Sequence, residues 1–274
     1  MPKPSRRVVD AAAWDVFARH EPYYHILSHP SMLSPGPGQQ AEFWASGERD
    51  IASLQAFAGL GFEEGTGVDL GCGLGRLTRA LRRLTSHQIG LDISTEMLRQ
   101  AREAKRSFSS MEFRQIREDY WPIETGSCVL VVSLHVLQHM SSLELIKHSI
   151  SEMGRILAPG GRAVFNVPTT RWRGQLVHWV RNSWTRLNGS QDARHLMALE
   201  ERLAQSTKGS MAFTEQEIMH DMFQLDCRRM KSISLVSLRR AIKNAGLEWY
   251  RVQRSPGPGN TLLAAKKISP DQCE

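Results

Sequence analysis

The run Val68-Asp69-Leu70-Gly71-Cys72-Gly73-Leu74-Gly75 sets three glycines where an apolar segment meets an amphipathic one, Arg76 to Leu84. Glycines at this spacing let a backbone turn sharply and come close to a ligand, because no Cβ stands in the way. A second apolar run, Gln88-Ile89-Gly90-Leu91, ends on Asp92. A carboxylate at that remove from a glycine loop can accept hydrogen bonds from both hydroxyls of a ribose. The pair points to an adenosine-containing cofactor. A later apolar run ends in Ser133-Leu134-His135-Val136-Leu137-Gln138-His139. His135 and His139 are the candidate general bases, since an imidazole titrates near neutrality.

These residues need a scaffold that brings strand ends together. Apolar periodicity predicts strands at about 66–70, 88–92, 111–116, 128–134 and 161–167, and helices at about 75–84, 94–106, 141–157 and 234–245. Short strand–helix–strand units imply a parallel sheet with helices on both faces. Ser94 suits the N-cap of the second of these helices, and Pro159-Gly160-Gly161 reads as a break before the fifth strand. Leu247 to Val252 and Thr261 to Ala265, separated by Ser255-Pro256-Gly257-Pro258-Gly259, read as a terminal antiparallel hairpin. Two further helices, 9–20 and about 39–60, precede the sheet; the Pro- and Gly-rich stretch His25 to Gly38 between them reads as a loop. Residues 168–233 interrupt the pattern with helical character, and an insertion of that length usually covers a site.

Composition is that of a globular protein, 41% apolar and 23% charged. No apolar run approaches the ~18–20 residues needed to span a bilayer, and no signal core follows the basic start Met1 to Arg7. Four scattered cysteines without a CxxC pair argue against a zinc site or a disulfide framework, so a reducing cytoplasm is expected and no metal. The net charge of +7 permits anionic partners.

Four ordered motifs make a more specific statement. The glycine run, Gly90-Leu91-Asp92-Ile93-Ser94-Thr95-Glu96-Met97-Leu98, the Ser133–His139 run and Arg155-Ile156-Leu157-Ala158-Pro159-Gly160-Gly161 resemble the class I S-adenosylmethionine-dependent methyltransferases of the small-molecule branch, over roughly 40–167. The resemblance implies a Rossmann-like seven-stranded, mostly parallel sheet with a terminal antiparallel hairpin and a helical cap insertion. It implies three regions: N-terminal helices over the site (1–60), the methyltransferase core (61–168 and 234–268) and the cap (169–233). The implied cofactor is S-adenosylmethionine, with S-adenosylhomocysteine as product.

Residue by residue, the resemblance puts Asp69 near the cofactor's amino group and gives Gly71, Cys72, Gly73 and Gly75 close backbone approach. It assigns Asp92 to the ribose and Ile93 and Met97 to the adenine surroundings. The adenine amino group falls to Glu118 or Asp119, or to backbone atoms, in the stretch ending at Tyr120. Ser133 and Leu134 would border the cofactor at the sheet edge. Here the chain departs from its relatives: Ile116 and Arg117 stand where many carry a Gly-Asp or Asn-Gly pair, and Val129 replaces an acidic residue before the fourth strand's apolar run.

The acceptor is less legible. Tyr24 and Trp44, on the leading segments, and Trp172, Arg173 and Trp179, in the insertion, are the candidate acceptor residues. Arginines in the insertion suit an anionic group; the same Trp–Arg stretch packs as a capping helix or lies on a membrane surface as a peripheral contact. The expected reaction is O-methylation of a small molecule or carbohydrate by in-line methyl transfer, with N-methylation or a nucleic-acid (RNA) substrate as alternatives. No Asn/Asp-Pro-Pro-aromatic motif and no separate RNA-binding module speak for a stable nucleic-acid partner. A dinucleotide dehydrogenase is disfavoured by the terminal hairpin and by the Asp69-x-Gly-x-Gly spacing.

Overall fold

The computed structural model describes residues 6–104, 110–117, 120–140, 142–170, 232–254 and 260–269. In chain order these form α1 (Arg6–Arg19), α2 (Pro22–Leu27), α3 (Pro37–Ala58), β1 (Glu63–Leu70), α4 (Arg76–Ala80), β2 (Thr85–Asp92), α5 (Thr95–Ala104), β3 (Met111–Gln115), β4 (Cys128–Ser133), α6 (Leu143–Ile156), β5 (Leu157–Thr170), β6 (Ile233–Ser234), α7 (Leu235–Asn244), β7 (Leu247–Arg254) and β8 (Asn260–Lys267). Seven strands lie in the order β3-β2-β1-β4-β5-β8-β7. β1 to β5 run parallel, while β8 is antiparallel to both β5 and β7. The expected sheet and hairpin are therefore present. The short β6 is an addition that pairs only with the end of β5, Thr169 with Ile233 and Thr170 with Ser234.

Alternation along the central strands explains why they read as continuous apolar runs. Val131, Ala163 and Phe165 face one core with Ile146, Ile150 and Met153 of α6 and Leu238 and Ile242 of α7. Leu130, Val132 and Val164 face the other core with Ile51 and Leu54 of α3 and Leu77 of α4. Side chains of a strand alternate between faces, so a sheet covered on both sides needs apolar residues at every position. Full burial of a side chain such as Ile146, Ile150 or Met153 contributes about 1.5–3 kcal/mol.

Helix starts follow their caps. Ser94 Oγ accepts from the N–H of Met97 at 3.0 Å, the N-cap geometry expected for α5. Asp15 of α1 accepts from Ser94 Oγ at 2.6 Å and from the N–H of Glu96 at 3.0 Å, so α1 is docked on the start of α5. The stretch expected as a loop from His25 is more ordered than its prolines suggest. α2 runs into it as far as Leu27, Pro30 opens a 3-10 turn and Pro37 opens α3, because proline is tolerated at a first helical position. The helix expected over 75–84 ends at Ala80 and continues as a 3-10 turn, Leu81–Arg83. Pro159-Gly160-Gly161 does not precede β5 but lies within it, as an irregularity between the pairs Cys128–Leu157 and Leu130–Arg162.

Gly154 of α6 meets the end of α7 without room for a side chain: a Cβ there would lie 2.1 Å from the carbonyl oxygen of Ala245. Gly154→Ala must push the two helices apart. We expect it to lower stability by about 1–3 kcal/mol, read as a drop in urea midpoint at unchanged m-value.

Candidate active site

The glycine loop is pinned at the sheet edge by backbone bonds. The N–H groups of Gly71 and Cys72 both donate to the Leu91 carbonyl at the end of β2, at 2.7 and 3.0 Å. Gly71 and Gly73 hold φ of +72° and +52°. A Cβ on Gly71 would stand 2.3 Å from Val136, and one on Gly73 would stand 2.9 Å from Ile26. Both backbone angle and space therefore demand glycine.

Asp92 ties that loop to the next. Its Oδ2 accepts from the N–H of Gly73 at 2.8 Å, and its Oδ1 from the N–H of Ser94 at 2.9 Å. Burial raises its pKa, while backbone N–H groups of Ser94, Gly73 and Ile93 pull it down. A carboxylate offers about four acceptor positions. The two backbone donors leave capacity for ligand hydroxyls.

A cavity of about 610 Å³ opens beside Asp92, of a size suited to a small-molecule ligand. It lies where strand order reverses between β1 and β4, the place where open α/β sheets bind ligands. Ile93, Met97, Ile116 and Trp121 line it next to Asp92 and offer apolar surface for a flat base. Further along, the wall passes through Leu134 and His135 to Ser46, Asp50 and Arg76, with Trp14 and the α2 residues His25 to Ser28 on the N-terminal side. Carboxylate, apolar wall and side-chain-free loop fit an adenosyl group.

Both histidines reach this cavity. His135 has φ of +60°, an uncommon conformation for a residue with a side chain. Asn166 of β5 holds it there: Asn166 Oδ1 accepts from the His135 N–H at 2.6 Å, and Asn166 Nδ2 lies 3.4 Å from the ring Nδ1. Although the ring opens on the cavity, the protein around its other sides desolvates it. That burial lowers its pKa below the usual 6.5, with Asp50 acting in the opposite sense. His139 ends a 3-10 turn, Leu137–His139. Its Nε2 is 2.9 Å from Gln138 Nε2, and Trp14 meets its ring edge to face at 5.7 Å.

Of the residues expected at the site, Gly71, Gly73, Asp92, Ile93, Met97, Leu134, His135 and His139 line the one cavity. Others do not. Asp69 is 1% exposed and turned under the loop, where its Oδ2 accepts from Thr78 Oγ1 at 2.7 Å. Cys72 is buried with Leu98, Ala101 and Phe113, and Gly75 backs onto the same Phe113. Ser133 is buried, its Oγ donating to the Leu70 carbonyl at 3.3 Å. Tyr24 and Trp44 belong to the packing around Phe43, with Trp44 beneath the Arg79 guanidinium. Tyr120 is 68% exposed; its neighbour Trp121, 1% exposed, is the aromatic that borders the cavity. Glu118, Asp119, Trp172, Arg173 and Trp179 lie outside the described residues. Among the described residues, no group of His, Cys, Asp and Glu could hold a metal ion, and no helix is long and apolar enough to cross a membrane.

Sequence reasoning missed Trp14, Ser46, Asp50, Arg76 and Trp121, and it named Ile116 only as a departure from the relatives' pattern. Ile116 follows β3 directly and Trp121 lies six residues past its end, so extending the strand-edge argument could have found both. Ser46 and Asp50 could not, because only the packing of α3 on α4 brings them there.

Comparison with known proteins agrees with this geometry. Residues 68–165 match the family described as methyltransferase domain. An uncharacterized 37.1 kDa protein in a transposon of Streptomyces fradiae is 34% identical over 105 residues, covering 37% of this chain and 29% of that protein. The malonyl-[acyl-carrier protein] O-methyltransferase of Salmonella typhimurium is 28% identical over 168 residues, covering 61% and 62%. The chain thus spans less than two thirds of the length of either relative. In fold it is similar to the magnesium protoporphyrin IX methyltransferase of Synechocystis PCC 6803 with bound S-adenosylhomocysteine, at TM-score 0.56 and 14% identity, over 95% of this chain and 99% of that one. Residues 68–165 thus match a methyltransferase domain, and the fold is the Rossmann-like one of that solved structure.

Two outcomes follow from the carboxylates. Asp92→Ala should weaken S-adenosylhomocysteine binding by about tenfold or more, since a hydrogen bond to a charged group contributes about 1.5–3 kcal/mol; calorimetric titration reads it, and unchanged affinity would refute the ribose role. Burial pushes the Asp69 carboxyl up to about 6, against the pull of Thr78 and Arg76. The folded state then holds a proton that the unfolded chain releases at ~3.9. Stability from this group is present at low pH and lost as pH rises toward 6. Asp69→Asn should therefore raise the melting temperature at pH 7 and flatten its fall between pH 4 and 6.

Proposed function

We propose that this chain transfers a methyl group from S-adenosylmethionine to an oxygen of a small molecule or a carbohydrate, with a histidine at the β4 edge as general base. One observation carries the reading: Asp92, the glycine loop and both His135 and His139 line a single cavity. The similarity to an O-methyltransferase of a carrier-linked acid adds support for an oxygen acceptor.

The cofactor supplies an electrophilic methyl group on a sulfonium centre. The chain's own work is binding, alignment and proton removal. Asp92 fixes the ribose, and the glycine loop admits the adjoining atoms without a side chain between. In-line displacement demands that the acceptor oxygen be held opposite the leaving sulfur, and positioning of this kind removes much of the barrier. A neutral acceptor hydroxyl must also lose its proton. His135 meets that requirement: Nδ1, which faces the donor Asn166 Nδ2 at 3.4 Å, carries no ring proton and is the nitrogen able to take the hydroxyl's, and the lowered pKa keeps the ring neutral at pH 7. His139 is the alternative base, though its Nε2 already lies beside Gln138. An acceptor that is itself a carboxylate, or an amine in the N-methylating alternative, needs neither.

Production of S-adenosylhomocysteine from S-adenosylmethionine, screened against hydroxylated and carboxylated small molecules, tests the reading. With a hydroxyl acceptor, the rate should rise with pH through an inflection below 6.5 and then level, because the ring must be deprotonated to act. His135→Ala should slow transfer by roughly 10²–10⁴-fold and remove that limb, while cofactor affinity stays. Loss of the limb in His139→Ala instead would move the role to His139. Normal rates in both variants would sink the histidine-base mechanism.

A further inference from the structure

We infer that the outer end of the sheet, α7 with the edge strand β7, docks on an anionic membrane, with its cations on lipid headgroups and the exposed Val236 and Val252 in the apolar boundary beneath them. From 232 to 269, seven lysines and arginines stand against one acidic residue, Glu248, which is nearly all of the chain's net charge of +7. Partners are distributed as unevenly as charge. Elsewhere in the fold Arg49, Arg99, Arg114, Arg155 and Arg162 each meet a carboxylate. On the outer end Arg239, Arg240, Lys243 and Arg254 are exposed, and among the described residues no carboxylate pairs with any of them. α7 itself contains no acidic residue. Repulsion within such a cluster is relieved only by an anionic partner.

Packing sets these groups on one surface. Leu238 and Ile242 are buried and fix the rotation of α7, which leaves Arg239, Arg240 and Lys243 on its outward side. The Arg239 guanidinium lies over the Trp249 ring of β7 at 5.8 Å, so helix and strand edge are continuous there. Val252 stands opposite Leu263, a residue of the core under α7, and therefore on the α7 face of the strand. Val252 is 39% exposed and Val236 73%. Aliphatic side chains left in water among unpaired cations decide between anions. Nucleic acid offers phosphates but meets apolar groups chiefly through base stacking on aromatic rings. The exposed aromatic of β7, Tyr250, is instead committed to the Ala58 carbonyl at 2.9 Å. A bilayer surface takes both parts, the cations on phosphates and the valines at the headgroup–acyl boundary. Direction adds a consequence. β7 runs parallel to β5 by way of the antiparallel β8, and β6 pairs with the last residues of β5. Val236, Val252 and Arg254 therefore lie at the sheet edge on which the cavity opens, and docking turns that edge toward the bilayer.

Flotation of the full chain with lipid vesicles tests the docking. Vesicles of phosphatidylcholine mixed with phosphatidylglycerol should carry the protein at about 0.15 M salt, and vesicles of phosphatidylcholine alone should not. Arg240→Gln/Lys243→Gln should weaken that binding by about tenfold or more, because each cation near an anionic surface contributes roughly fivefold. Val236→Ser/Val252→Ser should weaken it by about threefold or more. A cooperative urea transition certifies the fold of each variant. Single-stranded RNA and duplex DNA are titrated in parallel at the same salt. Wild-type vesicle binding in either variant, or equal binding to neutral vesicles, overturns the inference. Nucleic-acid binding that the charge variant loses, in a protein that leaves anionic vesicles unbound, overturns it in favour of a nucleic-acid surface.

Discussion

Asp92 is the residue on which the site depends. Its two carboxylate oxygens each take a backbone N–H, one from the loop after β1 and one from the turn after β2. Two strand ends that are neighbours only through the sheet are thereby locked at one edge. Those backbone donors pull the carboxyl's pKa down, against a burial that raises it. Both loops are thus organised around a carboxylate whose remaining acceptor positions open on the cavity.

From that anchor the rest of the cavity follows by layers. The Leu91 carbonyl holds Gly71 and Cys72. Gly71 lets Val136 lie against the loop, and Val136 belongs to the turn that carries His135 and His139. His135 is held in a left-handed conformation by Asn166, which reaches across from β5. Backbone strain of this kind persists only where the surroundings impose it, and it clusters at functional positions. On the other side, Asp15 secures α1 to the start of α5 and brings Trp14 toward His139. The N-terminal helices are therefore part of the site's wall, coupled to the sheet edge by a charged hydrogen bond rather than by apolar contact alone.

The legible part of this structure was the part written in one stretch of chain. Gly71, Gly73, Asp92 and the Ser133–His139 run sit at the ends of strands whose apolar character is unmistakable, so their meeting at one sheet edge follows from strand order. The strands themselves were legible because both faces of the sheet are covered, which leaves no polar alternation to obscure them. What sequence could not show was depth. Asp69 pairs with Gly90, two positions short of Asp92, so it sits one residue inside the end of β1, buried and bonded to Thr78 rather than on the cavity. The Asp50–Arg76 pair was invisible for another reason: its partners come from different helices, and the signal that joins them is the missing side chain of Gly47.

The lining of the cavity combines apolar side chains, Ile93, Met97, Ile116 and Trp121, with polar ones, Ser46, Asp50, Arg76 and His135. Arg76 reaches Ser46 and Asp50 through Nη1, and Asp50 and Arg76 act on the His135 ring in opposite senses. Because those two effects oppose each other, desolvation decides the outcome, and the imidazole stays in the neutral form that a proton acceptor requires.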